Sequence, residues 1–359
     1  MPSSWRSWHR PLLFVSALMA LSAAVSAVGL VVDDRILVGS PIWAKPFKFS
    51  VSFLVYGISL AWMLSLSTRA RRVGHWAGTL VAVATVVEMA IVIAQVVRGR
   101  RSHFNNETDL DTTLFGIMGN TIVVLWLATL VIAILLFRTP LRDRASAWAL
   151  RLGSPIALIG AALGFLMTFP TRAQQAAADR GERPDTTGAH SVGVTDGGPS
   201  MPVTGWSTTG GDMRIPHFIG MHALQLLPLL VLALVFLARR HPRLRDERVR
   251  VRLVVTAAGV LSGLVALTTW QAQRGQALIH PDGATITALA ALLALGAAAA
   301  LLSLRTPGAP AAGLVPDTRT RESTAPGTDP AGRTGTDTPE PAGPAGTAGR
   351  RSGSGKLSA

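Results

Sequence analysis

A single carboxyl, Glu88, stands inside a long apolar run of this 359-residue chain. A carboxyl in hydrocarbon costs at least a few kcal/mol unless it is protonated or paired, which makes Glu88 the candidate proton donor or acceptor. His222 and Gln225, at i and i+3, share one helix face; the pair is placed to orient a ligand, with His222 the second candidate catalytic group. Arg98 and Arg274 would hold the ligand's charge, supported by Lys45, Lys48 and Arg214, and these residue types favour a phosphate or carboxylate. Pro216 suits a first helical turn, and the helix start it marks, capped by Asp212 or the nearby backbone, would present free N–H groups to the same anion.

The motifs that carry these residues border apolar stretches. Ile42-Trp43-Ala44-Lys45-Pro46-Phe47-Lys48-Phe49 enters one, Gln95-Val96-Val97-Arg98-Gly99 with Ser102-His103-Phe104-Asn105 leaves the next, and Asp212-Met213-Arg214-Ile215-Pro216-His217 enters a later one. At 1.5 Å of rise per residue, Ser52, Glu88, Asn120, His222 and Gln225 lie roughly 10 to 15 Å inside their own segments, so they are expected around one pocket. Lys45, Lys48, Ser52, Tyr56 and Ser59 recur at helical spacing as a polar stripe. His217 and His222 are five apart, about 140° around a helix, which is wrong for chelating one ion, so no metal site is indicated. His103 and His280 occupy matching places after Gln95-x-x-Arg98-Gly99 and Gln271-x-x-Arg274-Gly275 and are further candidate ligand-binding residues, as are Gln95, Asn105, His217 and Gln271.

The elements that must position these groups are membrane helices. Hydrophobic residues make up 49% of the chain and charged residues 15%, with a mean hydropathy of +0.38, too apolar for an ordinary soluble domain. Runs of about 20 residues, enough to cross the hydrocarbon layer, occur near 11–32, 46–67, 76–97, 112–137, 147–170, 216–238, 251–273 and 283–304, which predicts eight spans. Arg6, Arg10, Arg69, Arg71, Arg72, Arg138, Arg142, Arg144 and the cluster from Arg239 to Arg252 mark alternate connections as cytoplasmic, placing both termini inside. Arg98, Arg100 and Arg101 fall on the other side, diluted by Glu107, Asp109 and Asp111. The net charge of +14 comes from such loops, so anionic lipid headgroups rather than nucleic acid are the expected partner. Absence of Cys excludes disulfides, thiolate ligation and covalent haem attachment.

The chain divides into a first four-span half, 1–138, a second, 139–305, and a tail, 306–359, whose Pro, Gly, Thr and Ala content predicts disorder. The long outer connection of about 171–213 is read as a mobile cover with Val192, Val194, Met201, Val203 and Trp206 as its anchors. The repeated Q-x-x-R-G, and Pro46-Phe47 against Pro216-His217, suggest two parallel repeats related by an axis along the membrane normal. No ionisable residue is expected in the cytoplasmic half of any span, which favours a one-sided, outward-facing site over a through pathway.

Lys45-Pro46-Phe47-Lys48-Phe49, Arg98-Gly99 with Ser102-His103-Phe104-Asn105, and Gly211-Asp212 with Pro216-His217-Phe218 and His222-Ala223-Leu224-Gln225 resemble motifs of an uncharacterised group of multi-span bacterial inner-membrane proteins. That resemblance implies no activity. The two four-span halves are also similar in architecture to haem A synthases, without the paired histidines on even-numbered spans or the external Cys pair. The resulting expectation is an all-α, eight-transmembrane-helix bundle of the cell membrane with a polar outward pocket for a small anionic or amphiphilic, lipid-like ligand, with or without turnover. A membrane haem (haem b) or quinone redox protein and a small-solute transporter are the alternatives.

Overall fold

The computed structural model describes residues 7–68 and 70–305. Arg6, Arg69 and the predicted tail lie outside them. Ten α-helices are present among the described residues: α1 (Arg10–Val32), α2 (Ala44–Leu66), α3 (Arg71–Arg98), α4 (Asp109–Phe137), α5 (Arg144–Leu166), α6 (Arg172–Asp179), α7 (Arg214–Met221), α8 (Ala223–Leu237), α9 (Glu247–Gln273) and α10 (Gly283–Arg305). Two small antiparallel hairpins join them, β1 (Ile36–Leu37) with β2 (Ser40–Pro41) and β3 (Ser191–Val192) with β4 (Gly211–Asp212). Seven helices are long and apolar enough to cross a membrane, and α7 and α8, bent by 44° where they meet, make an eighth crossing if they count as one span. Such helices fit a multi-pass membrane protein, and side chains such as Phe14, Leu21, Leu232 and Leu295 leave them apolar on the outside as well.

Helix ends follow local chemistry. Arg71 and Arg72 begin α3 several residues before its apolar run, and α5 stops at Leu166 instead of continuing to residue 170. Pro170 supplies the reason, because the residue before a proline is steered out of helical geometry. Thr171 then caps α6 in a reciprocal box with Gln174. The expectation that the arginine-rich ends of the spans hold no ionisable side chain is corrected by Arg151. It sits within α5, its Nε buried without a partner and its guanidinium 5.5 Å from the Phe137 ring centre. A long aliphatic stem and a cation–π contact make that placement tolerable.

Packing is pairwise. α1 lies along α2 and α3 along α4, with α3 also against α1 and α2; α5 lies along α7, α8 and α9, and α10 along α9. The first set meets the second mainly where α4 touches α5. One core, around Leu12, Leu60, Val81, Met89 and Ile132, reaches across to Leu150, Ala157 and Leu224 of the second set; the other, around Ala149, Leu227, Val231 and Val254, lies within the second set. At the α5–α7 crossing Gly160 faces Gly220, and a Cβ on Gly160 would stand 2.5 Å from the Gly220 Cα, so only glycine allows the two backbones to approach this closely.

The connection from Met167 to Met213 is built, not strung. α6 and the β3–β4 hairpin give it shape, and backbone bonds sew it to the segment after α3: Asn106 N–H to Asp185 O, and Thr187 N–H to Phe104 O. Val192 packs with Phe104, Met167, Met213 and Ala272 as expected of an anchor. Val203 does not; it is 91% exposed, because the turn it occupies is held through its backbone neighbours and not by apolar contact.

Candidate functional site

The loops between α1 and α2, α3 and α4, α5 and α7, and α9 and α10 meet at one end of the bundle around a cavity of about 1190 Å³. Its wall carries Lys45, Lys48, Arg100, Arg101, Arg172, Arg214 and Arg274, opposed by a single carboxylate, Asp196. A second cavity of about 260 Å³ runs between α2, α4, α5 and the α7–α8 segment. Its lining is Phe53, Leu60, Met118, Ile132, Ala157, Leu224 and similar side chains, with Ser52, Tyr56, His217, His222 and Gln225 toward the loop end. The two cavities share Phe49, His103, Phe104, His190, Arg214 and Phe218 as a common wall.

The cations of the chamber are not equally free. Lys48 donates to Thr204 O at 2.9 Å and holds the covering connection down. Arg214 forks onto buried Asp212, reaches Gly205 O at 2.6 Å, and keeps Nη1 unengaged among the described residues. Asp212 also accepts from the Ser207 and Arg214 N–H groups, so this carboxylate is saturated and serves the loop and the start of α7. Lys45 has no hydrogen bond or ion pair among the described residues; its ammonium lies 5.7 Å from the Phe49 ring centre and lines the chamber. Lys45 is thus a cation left for a ligand, as is the more exposed Arg172, which makes no hydrogen bond or ion pair among the described residues either.

Two histidines stand at the common wall. The His103 ring sits among Phe49, Phe104 and Phe115, with Nδ1 3.1 Å from the Ser102 hydroxyl. Burial, with Lys45 and His190 adding like charge, holds its pKa well below the ordinary value, so the ring is neutral. His190 lies 2.8 Å from Asp196 Oδ2 through Nδ1, and Asp196 also accepts from the His190 and Ser191 N–H groups. Burial, its largest influence, lowers the His190 pKa, and the Asp196 bond opposes that. Burial alone would raise Asp196, but the His190 ring and the two N–H donors outweigh it and hold the carboxyl well below the usual range. Because Nδ1 donates to a carboxylate, Nε2 carries the lone pair of a neutral ring.

Neither His190 nor Asp196 is singled out by the sequence, and both fall in the connection of about 171–213 expected to be a mobile cover. They are far from any apolar periodicity, and the signal available was Gly188, Gly193 and Gly197 around them, all with positive φ, where tight turns fold six residues back on themselves.

The repeated Q-x-x-R-G motif closes helix ends. Gln95 donates to Arg101 O and to buried Asp111, which also receives Arg98 at 2.7 Å and Arg100 at 2.8 Å. Gln271 donates to Ala277 O at 2.9 Å, and Arg274 to Asp282 at 2.8 Å while its guanidinium lies 3.6 Å from the Trp270 ring centre. In both, the glutamine reaches the carbonyl six residues on, the arginine takes the acid that starts the next helix, and Gly99 or Gly275 turns the chain with φ near +70°. Gln95, Arg98 and Gln271 are therefore consumed by these closures and line neither cavity, whereas Arg274 borders the chamber.

Other expected members disperse. Asn105 is buried, bonded to Arg101 O and to the Glu107 N–H, and shapes its own loop. Asn120, expected at the shared pocket, is exposed and turns its amide onto Gly116 O of its own helix. His280 is exposed and lines neither cavity, unlike His103, whose ring is enclosed by Phe49, Phe104 and Phe115. Glu88 lines neither cavity. It is fully buried with both carboxyl oxygens unpartnered, one turn below Val92 in the chamber wall, and Lys45 is the charge that acts on it. The single pocket expected from depth is thus narrowed to Ser52, His222 and Gln225, joined by His217, whose Nδ1 bonds Gly160 O at 2.8 Å. Among the described residues no group of three or more His, Cys, Asp or Glu is placed to hold a metal ion.

No protein-family model, curated protein or solved structure matches the chain. What the cavities can bind is read from their own chemistry.

Proposed function

We propose that this multi-pass membrane protein binds an anionic amphiphile, with the head in the cationic chamber and the apolar chain in the groove between the helices. The observation that carries this reading is the shared wall: seven cationic side chains and one carboxylate line one cavity, and it opens against an apolar one at Phe49, His190 and Arg214. A small inorganic anion would use the chamber and leave the groove without purpose, and a neutral lipid would leave Lys45 unpaired. The motif resemblance to an uncharacterised group of bacterial inner-membrane proteins accords with a lipid-facing role and adds no activity to it.

The same proposal takes α7 and α8 as one broken span, giving eight spans with both ends in the cytoplasm, the chamber outside, and the cell membrane as the location. A broken helix at a cavity is where unpaired backbone groups can meet a ligand. Matching hairpins before α2 and α7, matching closures after α3 and α9, and the same pairwise packing in each half support two parallel repeats. The haem alternative is less well supported, since α2, α4 and α5 face the groove without a histidine, and the two others in its wall, His103 and His190, are held in loops beside Ser102 and Asp196. The transporter alternative has only Tyr56, Thr129 and Ser154 deeper in the groove to draw on, and these are engaged, Tyr56 with Thr129 and Ser154 with Leu150 O.

Reconstitution into vesicles of phosphatidylethanolamine and phosphatidylglycerol, followed by mass spectrometry of retained lipid, tests the reading. The protein should retain the anionic lipid in excess over its bulk share. Lys45→Met should weaken retention by about tenfold or more, the scale of one charge-assisted contact. Retention at the bulk ratio, or an unaffected Lys45→Met variant, would remove the proposal.

A further inference from the structure

The amphiphile reading leaves the His190–Asp196 pair without a task. Asp196 closes the loop through two backbone N–H groups, and neither bond needs an imidazole beside it. Yet the ring is fastened by Nδ1 to the carboxylate at 2.8 Å and stands in the wall common to both cavities, where head and chain of an amphiphile would join. A base held in one orientation by a carboxylate, beside cations that can take developing negative charge, is the arrangement of general acid–base catalysis.

We propose that His190 is the catalytic acid–base of a hydrolytic reaction on a phosphoester of the bound amphiphile, with Asp196 as its positioning residue. The inference rests on the amphiphile reading. A phosphoester is chosen over a carboxylic ester because Lys45 and the open edge of Arg214 suit a centre that is already anionic. Water attacks phosphorus and forms the new P–O bond while His190 Nε2 takes its proton. The bond from phosphorus to the lipid oxygen breaks, and the imidazolium returns the proton to that oxygen. The products are a lipid alcohol and a water-soluble phosphate, and no redox partner is needed.

The charged and titratable groups around the ring come from every neighbouring element: Asp196 in the same connection, Lys45 from α2, Arg214 and His217 from α7, and His103 from the segment after α3. Lys45 and Arg214 disfavour the imidazolium and Asp196 favours it, so the neutral base persists until a proton arrives from the attacking water.

The test uses the full chain in vesicles containing phosphatidylglycerol, phosphatidic acid and a polyprenyl phosphate, in ¹⁸O-labelled water. Released phosphate should carry ¹⁸O. His190→Asn should lower the rate by about 100-fold or more while retaining lipid. Asp196→Asn should lower it less and move the acidic limb of the pH–rate profile to lower pH, because the carboxylate that favours the imidazolium is gone. His280→Asn, in an exposed loop away from both cavities, should match the unaltered protein. Retained lipid without ¹⁸O release overturns hydrolysis and leaves the binding reading standing, whereas absence of retained lipid overturns both. A His190→Asn variant at full rate, or an Asp196→Asn variant whose pH profile is unmoved, overturns the assigned roles.

Discussion

Glu88 sets a carboxyl deep inside α3. Its type and depth marked it as chemistry, and its burial is complete, but its oxygens meet no hydrogen-bond donor among the described residues and it stands outside both cavities. An unpartnered buried polar group costs about 1–3 kcal/mol. Glu88→Met, similar in volume and apolar, should therefore raise the thermal midpoint in detergent by an amount corresponding to that range while leaving lipid retention intact. A lowered midpoint would mean that the carboxyl has a partner, and lost retention would bring it back to the site. Lys45 shows the opposite case: Lys45 and Lys48 share one polar stripe, and what separates them is that the Lys48 ammonium is engaged by Thr204 O and the Lys45 ammonium is not, among the described residues.

At the scale of elements, the two Q-x-x-R-G closures share a pattern but not an environment. Asp111 is fully buried and receives two arginines and Gln95, whereas Asp282 and Arg274 are both substantially exposed. Removing one partner of a buried charge cluster costs about 3 kcal/mol or more, while exposed pairs are screened by water and contribute little. Asp111→Asn should accordingly lower the thermal midpoint clearly, and Asp282→Asn should leave it nearly unchanged. Equal effects would show that the closures bear load alike. The sequence displayed the motif in both places; only the fold distinguishes them, because Gln95, Arg98 and Arg100 converge on a buried Asp111 in the first, whereas Asp282 meets Arg274 at an exposed edge.

For the whole molecule, arginine distribution and the cavity's position make a joint claim about sidedness. A reporter active only outside the cytoplasm should work when fused within residues 171–211 and fail when fused after Arg305. The reverse at either point would end the eight-span arrangement and place the chamber on the other face. The fold was legible to this extent because spans are long and their apolar runs continuous. Boundaries moved most where charged first turns extended α3 and α9 and where α5 ended short of Pro170, and the expected span at 216–238 is bent between α7 and α8.

Composition and hydropathy by themselves determined that the chain is helical, apolar and crossed by several membrane-length segments, because hydrocarbon requires each backbone N–H to be satisfied within its own segment. They also determined which residue types gather at the loop-bearing end. Tertiary structure decided which of those residues face a common space. Helix rotation turned Asn120 onto its own backbone and put Glu88 behind the wall, and tight turns in the connection after α5 brought His190 to Asp196. Periodicity reports depth along a helix, but the direction a side chain faces depends on neighbours far away in the chain. For loop residues there is no period to read, so the pair at the cavity junction became visible only once the connection had folded over it.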